Sequence, residues 1–392
     1  MEVTTNYIMK ILHIAVHLGG GVGTVLKNWI KKDIQNNHTV LLLNHNYFGE
    51  LQEYIYENLR SNYEKINDWI KNSDIVIIHF WNHPMLFEFL INANLTECRV
   101  CIWSHVSALT PPYVHVNKLV KFSDKFILSS PISNIKEVDI KLCTRIKIIW
   151  TTGGIEDYIL LKKVQSENTF LVGYIGTLDY SKINKHFVSL CENIYKEIPS
   201  VKFIICGSGC DADKIKIEVN QRNLDHIFNF TGIIDIKTVI STFDVFGYPL
   251  TNSHFGTCEQ VLGETMACGI EPVVFNNPAE KYIVKDLGKI CYSFDDYIRN
   301  IVSIYKNPTS KLCSDKLVNR AIELYDINKM IDDWNELFRE LIQTDKTKKM
   351  WDDAPINKDG YNIYIESLGE CGEILKRGTI NEIKTLFNSN DQ

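Results

Sequence analysis

Short apolar runs alternate along the chain with longer segments whose apolar positions recur at helical spacing, the pattern of a parallel sheet wrapped by helices. In the first half, the runs at 10–16, 39–44, 75–79, 99–103, 125–128 and 146–150 predict strands. A mixed, charged stretch at 151–168 interrupts the alternation, which restarts with predicted strands at 170–175, 202–206, 227–230, 245–248 and 271–275. The repetition implies two doubly wound α/β domains facing across a cleft, with ligands expected beyond the carboxyl ends of their strands. Residues 310–342 predict helix. Trp351, Tyr361, Ile363, Tyr364, Ile365, Leu368, Ile374 and Leu375 then make the tail too apolar for a solvated linker. The expected division is 1–155, 156–325, and a C-terminal helical segment and extension at 326–392 that packs on the body.

A length of 392 residues suits two domains and a remainder, and 45% hydrophobic with 23% charged residues is ordinary for a soluble protein. Forty-two basic and 48 acidic side chains give a net charge of −6, so no broad cationic footprint exists and no nucleic-acid partner is expected. No apolar run approaches the roughly 20 residues of a bilayer span, and the start lacks a secretory pattern. The expected compartment is the cytoplasm, with peripheral contact at the inner face of a membrane compatible with the composition. The 11 cysteines are scattered and odd in number, which argues against a disulfide framework. Cys98 and Cys101 form a C-x-x-C pair inside an apolar run and are expected in a core.

Candidate chemistry sits where predicted strands end. The first strand leads into His17-Leu18-Gly19-Gly20-Gly21-Val22-Gly23, after which Leu26, Trp29 and Ile30 recur at helical spacing. Glycines allow close backbone approach, and a helix start offers unpaired N–H groups to an anion. A dinucleotide fingerprint is disfavoured, because its third glycine falls at Leu26 and strand two ends in Asn44-His45-Asn46 rather than an acid. A tight turn and a loop lining a sugar-phosphate site both remain open. In the second half, Gly173–Lys182 carries a strand into the Gly176-Thr177-Leu178 turn with a lysine beyond it, and Ile205-Cys206-Gly207 repeats the strand–glycine pattern. The segment from His254 to Gly269 places Gly256, Thr257, Cys258, Glu259 and Gln260 before Glu264, with Thr257 as expected N-cap and Glu259 in the first helical turn. Asp211-Ala212-Asp213, the single D-x-D, suits a helix start better than a metal site. No metal is expected.

With these segments in view, residues 9–340 resemble the retaining glycosyltransferases of family 4, which have the GT-B fold. The most specific match is Glu264-x-Met266-Ala267-Cys268-Gly269 followed by Pro272-Val273-Val274, with the glycine turn and Lys182 upstream. The resemblance implies a nucleotide-sugar donor, a UDP-sugar, held mainly by the second domain, and an acceptor glycan, lipid-linked glycan or other hydroxyl compound held mainly by the first. It implies Lys182 on the diphosphate and Glu264 on the ribose. Gly176, Thr177, Gly207 and the main chain of 256–260 would lie around the donor, and Gly20, Gly21 and Gly23 would close over the phosphates. His105, and more weakly His79, would lie near the sugar, so the expected catalytic side chains are His105, Lys182 and Glu259. The family pattern has two glutamates eight positions apart. Counting back from Glu264 reaches Gly256, and Glu259 or His254 is the expected substitute. Thr177 stands where an arginine is usual. The alternatives are a catalytically silent binding module and another GT-B enzyme such as a sugar-nucleotide epimerase.

Overall fold

The structure is a computed structural model that describes residues 7–43, 55–58, 62–110, 114–161, 164 and 169–351. Asn44-His45-Asn46 and the apolar tail from Tyr361 onward lie outside the described residues. The chain forms two compact units, one built from residues up to Gly153 together with those from Ile327 onward, the other from Gly154 to Asp326. The first unit contains strands β1 (Lys10–Ala15), β2 (Asn37–Leu42), β3 (Ile55–Asn58), β4 (Ile75–Phe80), β5 (Leu95–Cys98), β6 (Val100–Ser104), β7 (Lys125–Leu128) and β8 (Ile146–Ile148). Seven of them form a parallel sheet in the order β3-β2-β1-β4-β6-β7-β8.

The expected strand at 99–103 is corrected in one respect: Arg99 separates two strands. Its guanidinium turns away to donate to the carbonyls of Thr344 (2.8 Å) and Ile342 (3.1 Å). β5 leaves the main sheet and pairs antiparallel with β15 (Thr347–Lys349), with Cys98 opposite Thr347. Cys98 and Cys101 are buried free thiols, and burial pushes the Cys98 thiol up to about 12.

One face of this sheet is covered by helix Gly20–Lys32 and by helix Ile327–Ile342, which returns to the first unit after the whole second unit. The return is driven by an apolar stripe: Ile327, Met330, Trp334, Leu337, Phe338 and Leu341 recur at three- and four-residue spacing and are all buried. Trp334 lies between Trp29 and Trp103, with ring centroids 5.1 and 5.0 Å away. Aromatic rings of this size remove about 150–250 Å² each from water, so this trio anchors the face.

The second unit holds β9 (Phe170–Ile175), β10 (Val201–Cys206), β11 (Phe228–Gly232), β12 (Val245–Tyr248), β13 (Pro272–Phe275) and β14 (Lys289–Cys291). They form a parallel sheet in the order β11-β10-β9-β12-β13-β14. In both sheets the chain runs outward from the middle in one direction and then in the other. The reversal falls between β1 and β4 in the first unit and between β9 and β12 in the second, and such switch points are where open α/β sheets bind ligands. Among the described residues, no helix is long and apolar enough to cross a membrane.

Candidate functional site

The segments after β9 and β12 converge at the switch point of the second unit. β9 ends at Ile175, and the Gly176–Leu178 turn is held by backbone bonds from Gly176 N–H to Cys206 (3.0 Å) and Leu178 N–H to Ser208 (2.9 Å). Gly207 is in the left-handed region at φ 132°, and a Cβ there would stand 2.0 Å from the Gly176 carbonyl oxygen. Only glycine lets the two turns touch. Asp179 caps the next turn by accepting from the N–H of Ser181 (2.7 Å). Lys182 follows, tied to the segment after β12 by its carbonyl, which accepts from Thr251 N–H (2.8 Å).

Lys182 and Glu259 are brought together, with Nζ 3.2 Å from Oε2. The same oxygen accepts from the Tyr248 hydroxyl at 2.5 Å, and the ammonium stands 5.8 Å from the centre of the Tyr248 ring. His254 lies 3.9 Å from the other Glu259 oxygen and 3.0 Å from the buried Glu280, which also accepts from the Asn277 amide (3.1 Å). Burial alone would raise the Glu259 carboxyl. The charges of Lys182 and His254 and the Tyr248 hydroxyl outweigh it and hold the group below its ordinary value. Burial alone would lower His254, and the hydrogen bond and charge of Glu280 reverse that and raise it. Basic and acidic side chains therefore alternate through the site, in the order Lys182, Glu259, His254, Glu280.

The start of the next helix differs from expectation. It runs Gln260–Ala267, so Glu259 rather than Thr257 is the residue that precedes it, and Glu259 adopts a left-handed conformation at φ 30°. The physical reason lies in two contacts. The Tyr325 hydroxyl donates to the Cys258 carbonyl and reaches the Glu259 carbonyl at 3.3 Å, fixing the chain there. The Glu259 carboxylate folds back over Gly256, where an added Cβ would stand 1.8 Å from its Oε1. The space a side chain at 256 would enter is thus filled by Glu259. Left-handed backbone at a non-glycine residue is strained and is held by its surroundings.

Glu264 lies one turn into this helix, apart from the Lys182 group. It is buried, and burial raises its carboxyl to about 7 even though Gln260, 3.4 Å away, and Tyr158 both favour the charged form. Gln260 also donates to the Gly154 carbonyl (2.9 Å). Thr257 and Cys258 are buried beside the helix start. A pocket of about 520 Å³ opens past the ends of β13 and β14, lined by Asn184, Asn277, Tyr292 and Phe294 among others. It meets the charged group through Asn277 and Glu280.

Asp211 precedes helix Ala212–Gln221 and Asp213 is in its first turn. Asp211 accepts from Lys214 (2.6 Å) and from Tyr180 N–H (3.0 Å). Asp179, Cys210 and Asp211 come close enough to share an ion, and their polar atoms already bond one another and neighbouring donors.

In the first unit, the expected glycine loop is in fact helix. Gly19 is the N-cap, and Gly20, Gly21 and Gly23 lie in the opening turns of helix Gly20–Lys32. Gly23 is required because a Cβ there would stand 1.9 Å from the Leu18 carbonyl oxygen. His105 lies just past the carboxyl end of β6, and His79 is fully buried within β4, with 3.0 Å between their ring nitrogens. Sequence reasoning missed Tyr248, Asn277 and Glu280 around Glu259. It also missed His13, His38 and Asp33, which continue the histidine contacts beyond His79. A visible signal existed for the last set, since His13 and His79 both fall on predicted strands.

Residues 159–322 match the family described as glycosyl transferases group 1. A 2-deoxystreptamine N-acetyl-D-glucosaminyltransferase of Niallia circulans is 27% identical over 128 residues, which span 30% of this chain and 32% of that protein. Among solved structures, Anabaena Alr3699/HepE in complex with UDP superposes with a TM-score of 0.67 at 17% identity, covering 85% of this chain and 100% of that one. A glycosyltransferase from Rickettsia africae gives a TM-score of 0.68 at 14% identity, covering 86% of this chain and 99% of the other. The chain therefore has the GT-B fold, and within its second unit residues 159–322 are similar to the glycosyl transferases group 1 family.

Proposed function

We propose that this protein transfers a sugar from a nucleotide-sugar donor, a UDP-sugar, to an acceptor hydroxyl on a glycan, lipid-linked glycan or other compound, with retention at the anomeric carbon. The group 1 domain match carries this reading, because it spans Lys182, Glu259 and Glu264 at the switch point of the second sheet. UDP is the nucleotide bound in the Anabaena structure, and the curated relative's name describes an aminosugar transferase.

In this mechanism Lys182 neutralises charge on the leaving diphosphate, assisted by main-chain N–H groups at the start of helix Gln260–Ala267. Removing such a fixed donor typically costs about 2.7–4 kcal/mol of transition-state stabilisation. Glu264 accepts hydrogen bonds from the ribose hydroxyls, and Glu259 supplies the carboxylate that the glycine at 256 lacks. His105 meets the sugar. The acceptor hydroxyl attacks on the face the diphosphate leaves, and a phosphate oxygen takes its proton. No obligatory metal takes part, and the site of action is the cytoplasm or the inner face of a membrane.

The Lys182–Glu259 ion pair supports a second reading, a binding module without turnover, because diphosphate must compete with Glu259 for the ammonium. Donor hydrolysis across several nucleotide sugars decides between them: release of UDP from at least one donor is expected, and donor binding with no turnover on any acceptor overturns the transferase reading. Calorimetry of UDP with excess chelator tests the metal statement. Loss of binding on chelation, restored by manganese or magnesium, would refute it.

A further inference from the structure

Four histidines of the first unit form an unbroken row. His38 is on β2, His13 on β1, His79 on β4 and His105 just past β6, which are neighbours in the order β2-β1-β4-β6. The strand register explains the contact. His13 pairs with Val40, two residues beyond His38; Ile77 pairs with His13, two residues before His79; and Trp103 pairs with His79, two residues before His105. Each step crosses one strand and advances two residues, and an advance of two keeps the side chain on the same face. The row thus climbs diagonally from the start of β2 to the carboxyl end of β6. Its ring nitrogens are 2.9 Å apart between His13 and His38 and 3.0 Å apart between His13 and His79 and between His79 and His105. At the far end, His38 Nε2 is 3.0 Å from Asp33 Oδ2.

An ionised carboxylate only accepts hydrogen bonds, and a neutral imidazole has one donor and one acceptor nitrogen. Burial alone would raise Asp33, but hydrogen bonds from His38 and Asn36 hold it below the ordinary carboxylate range. Burial keeps the rings of His13, His79 and His105 neutral, with His79 lowered to about 3. With His38 neutral like its neighbours in the row, its proton lies on Nε2 toward Asp33 and its Nδ1 accepts. His13 must then donate from Nε2 to His38 and accept on Nδ1 from His79 Nε2. His79 Nδ1 accepts in turn from His105 Nε2. The only nitrogen whose role the row leaves as acceptor at its open end is His105 Nδ1.

We propose that Asp33 is a positioning residue which, through His38, His13 and His79, fixes His105 as the Nε2–H tautomer and so presents an acceptor nitrogen at the carboxyl end of β6. That this nitrogen meets a sugar hydroxyl rests on the transferase reading. The order of the protons does not.

The test is nitrogen NMR of the full chain with ¹⁵N-labelled histidine, assigning His105 through the loss of its signals in His105→Gln. The parent protein is expected to show three couplings across N–H···N bridges, each with Nε2 as donor. Absent couplings in the parent protein overturn the proposal without any variant needing to fold, and so does a proton on His105 Nδ1 once folded His105→Gln has assigned that signal. In His13→Phe, His79 loses the acceptor for its Nε2 proton, and a buried donor is harder to leave unpaired than an acceptor. The His79–His105 bridge should reverse and the proton of His105 should move to Nδ1, although His105 does not touch residue 13. An unchanged His105 tautomer in folded His13→Phe refutes transmission along the row. Asp33→Asn keeps its acceptor oxygen toward His38, because Trp29 and Asn36 also donate to that position whereas only the Gln35 N–H donates to the other oxygen, and should preserve the parent order. Turnover separates the two claims. A reversed His105 with turnover unchanged removes His105 from the transferase site while leaving the row as described.

Discussion

The two units bury histidine at similar depth and shift its protonation in opposite directions. In the first, His13, His79 and His105 share N–H···N bonds along a row with a carboxylate at its far end, and burial keeps them neutral. In the second, His254 is also buried but lies against Glu280 and near Glu259, which raise it instead. Depth is therefore a poor guide to protonation, because a carboxylate in direct contact offsets desolvation that an imidazole neighbour leaves standing. The row supplies direction, while the alternating basic and acidic side chains around Glu259 supply charge that a phosphate can redistribute.

The largest effect that would break this contrast is acid sensitivity of the first unit. His79 and His115 are lowered to about 3 and about 4, against about 6.5 unfolded. The unfolded chain binds those protons first, so their stabilisation is intact above pH 6.5 and falls as pH drops below it. Between pH 7 and 5 each should cost about 2 kcal/mol, about 4 kcal/mol together, with His13 and His105 adding in the same direction. His254 has the contrary sign: its contribution is present below the unfolded pKa and lost as pH rises through its raised folded value. All seven tryptophans lie before Gly153 or after Ile327, so their fluorescence reports the first unit alone. A urea midpoint by tryptophan fluorescence as high at pH 5 as at pH 7 would contradict the neutral row.

Next in size is Lys182→Ala, expected to lower turnover about 10²- to 10³-fold, equivalent to about 2.7–4 kcal/mol. Turnover within threefold of the parent would assign Lys182 to support of Glu259 only. Glu264→Gln should weaken UDP binding about 10- to 150-fold, from the roughly 1.5–3 kcal/mol of a charged hydrogen bond. Because burial sets the Glu264 carboxyl at about 7, parent affinity should rise from pH 6 to 8 as the accepting form is populated, and Glu264→Gln should lose that dependence. Binding within twofold of the parent places the ribose elsewhere. The smallest effect sharpens the role of Glu259. Gly256→Ala should destabilise by about 1–3 kcal/mol, since its Cβ collides with the Glu259 carboxylate. In a Glu259→Ala background the cost should fall to what remains of the 2.9 Å approach to His254 Nδ1, and strict additivity of the two changes would show that the Glu259 contact does not matter.

The sheets were legible where an apolar run has clear polar ends: β7, β9 and β12 have the expected bounds. β5 and β15 were not, because each is short and is defined by a partner about 250 residues away in the chain. At the site, Lys182 and Glu264 stand out by motif. The Glu259 arrangement does not, because a left-handed residue held by Tyr325 from another helix leaves no local trace. The histidine row needs the strand order as well as the strands: His38 and His13 are 25 positions apart, His13 and His79 are 66 apart, and only the reversal at β1–β4 makes the three consecutive.

Helix Ile327–Ile342 has a consequence for the order in which the molecule assembles during synthesis. The face of the first sheet that holds Trp29 and Trp103 is completed by Trp334 and Phe338, which the ribosome adds only after all of the second unit. Residues Gly154 to Asp326, by contrast, form a contiguous unit that closes on itself. The usual amino-terminal-first order of domain formation is therefore inverted. The earlier-made half waits with an open apolar face, and a released chain ending at Asp326 would hold a complete second unit attached to an unfinished first one.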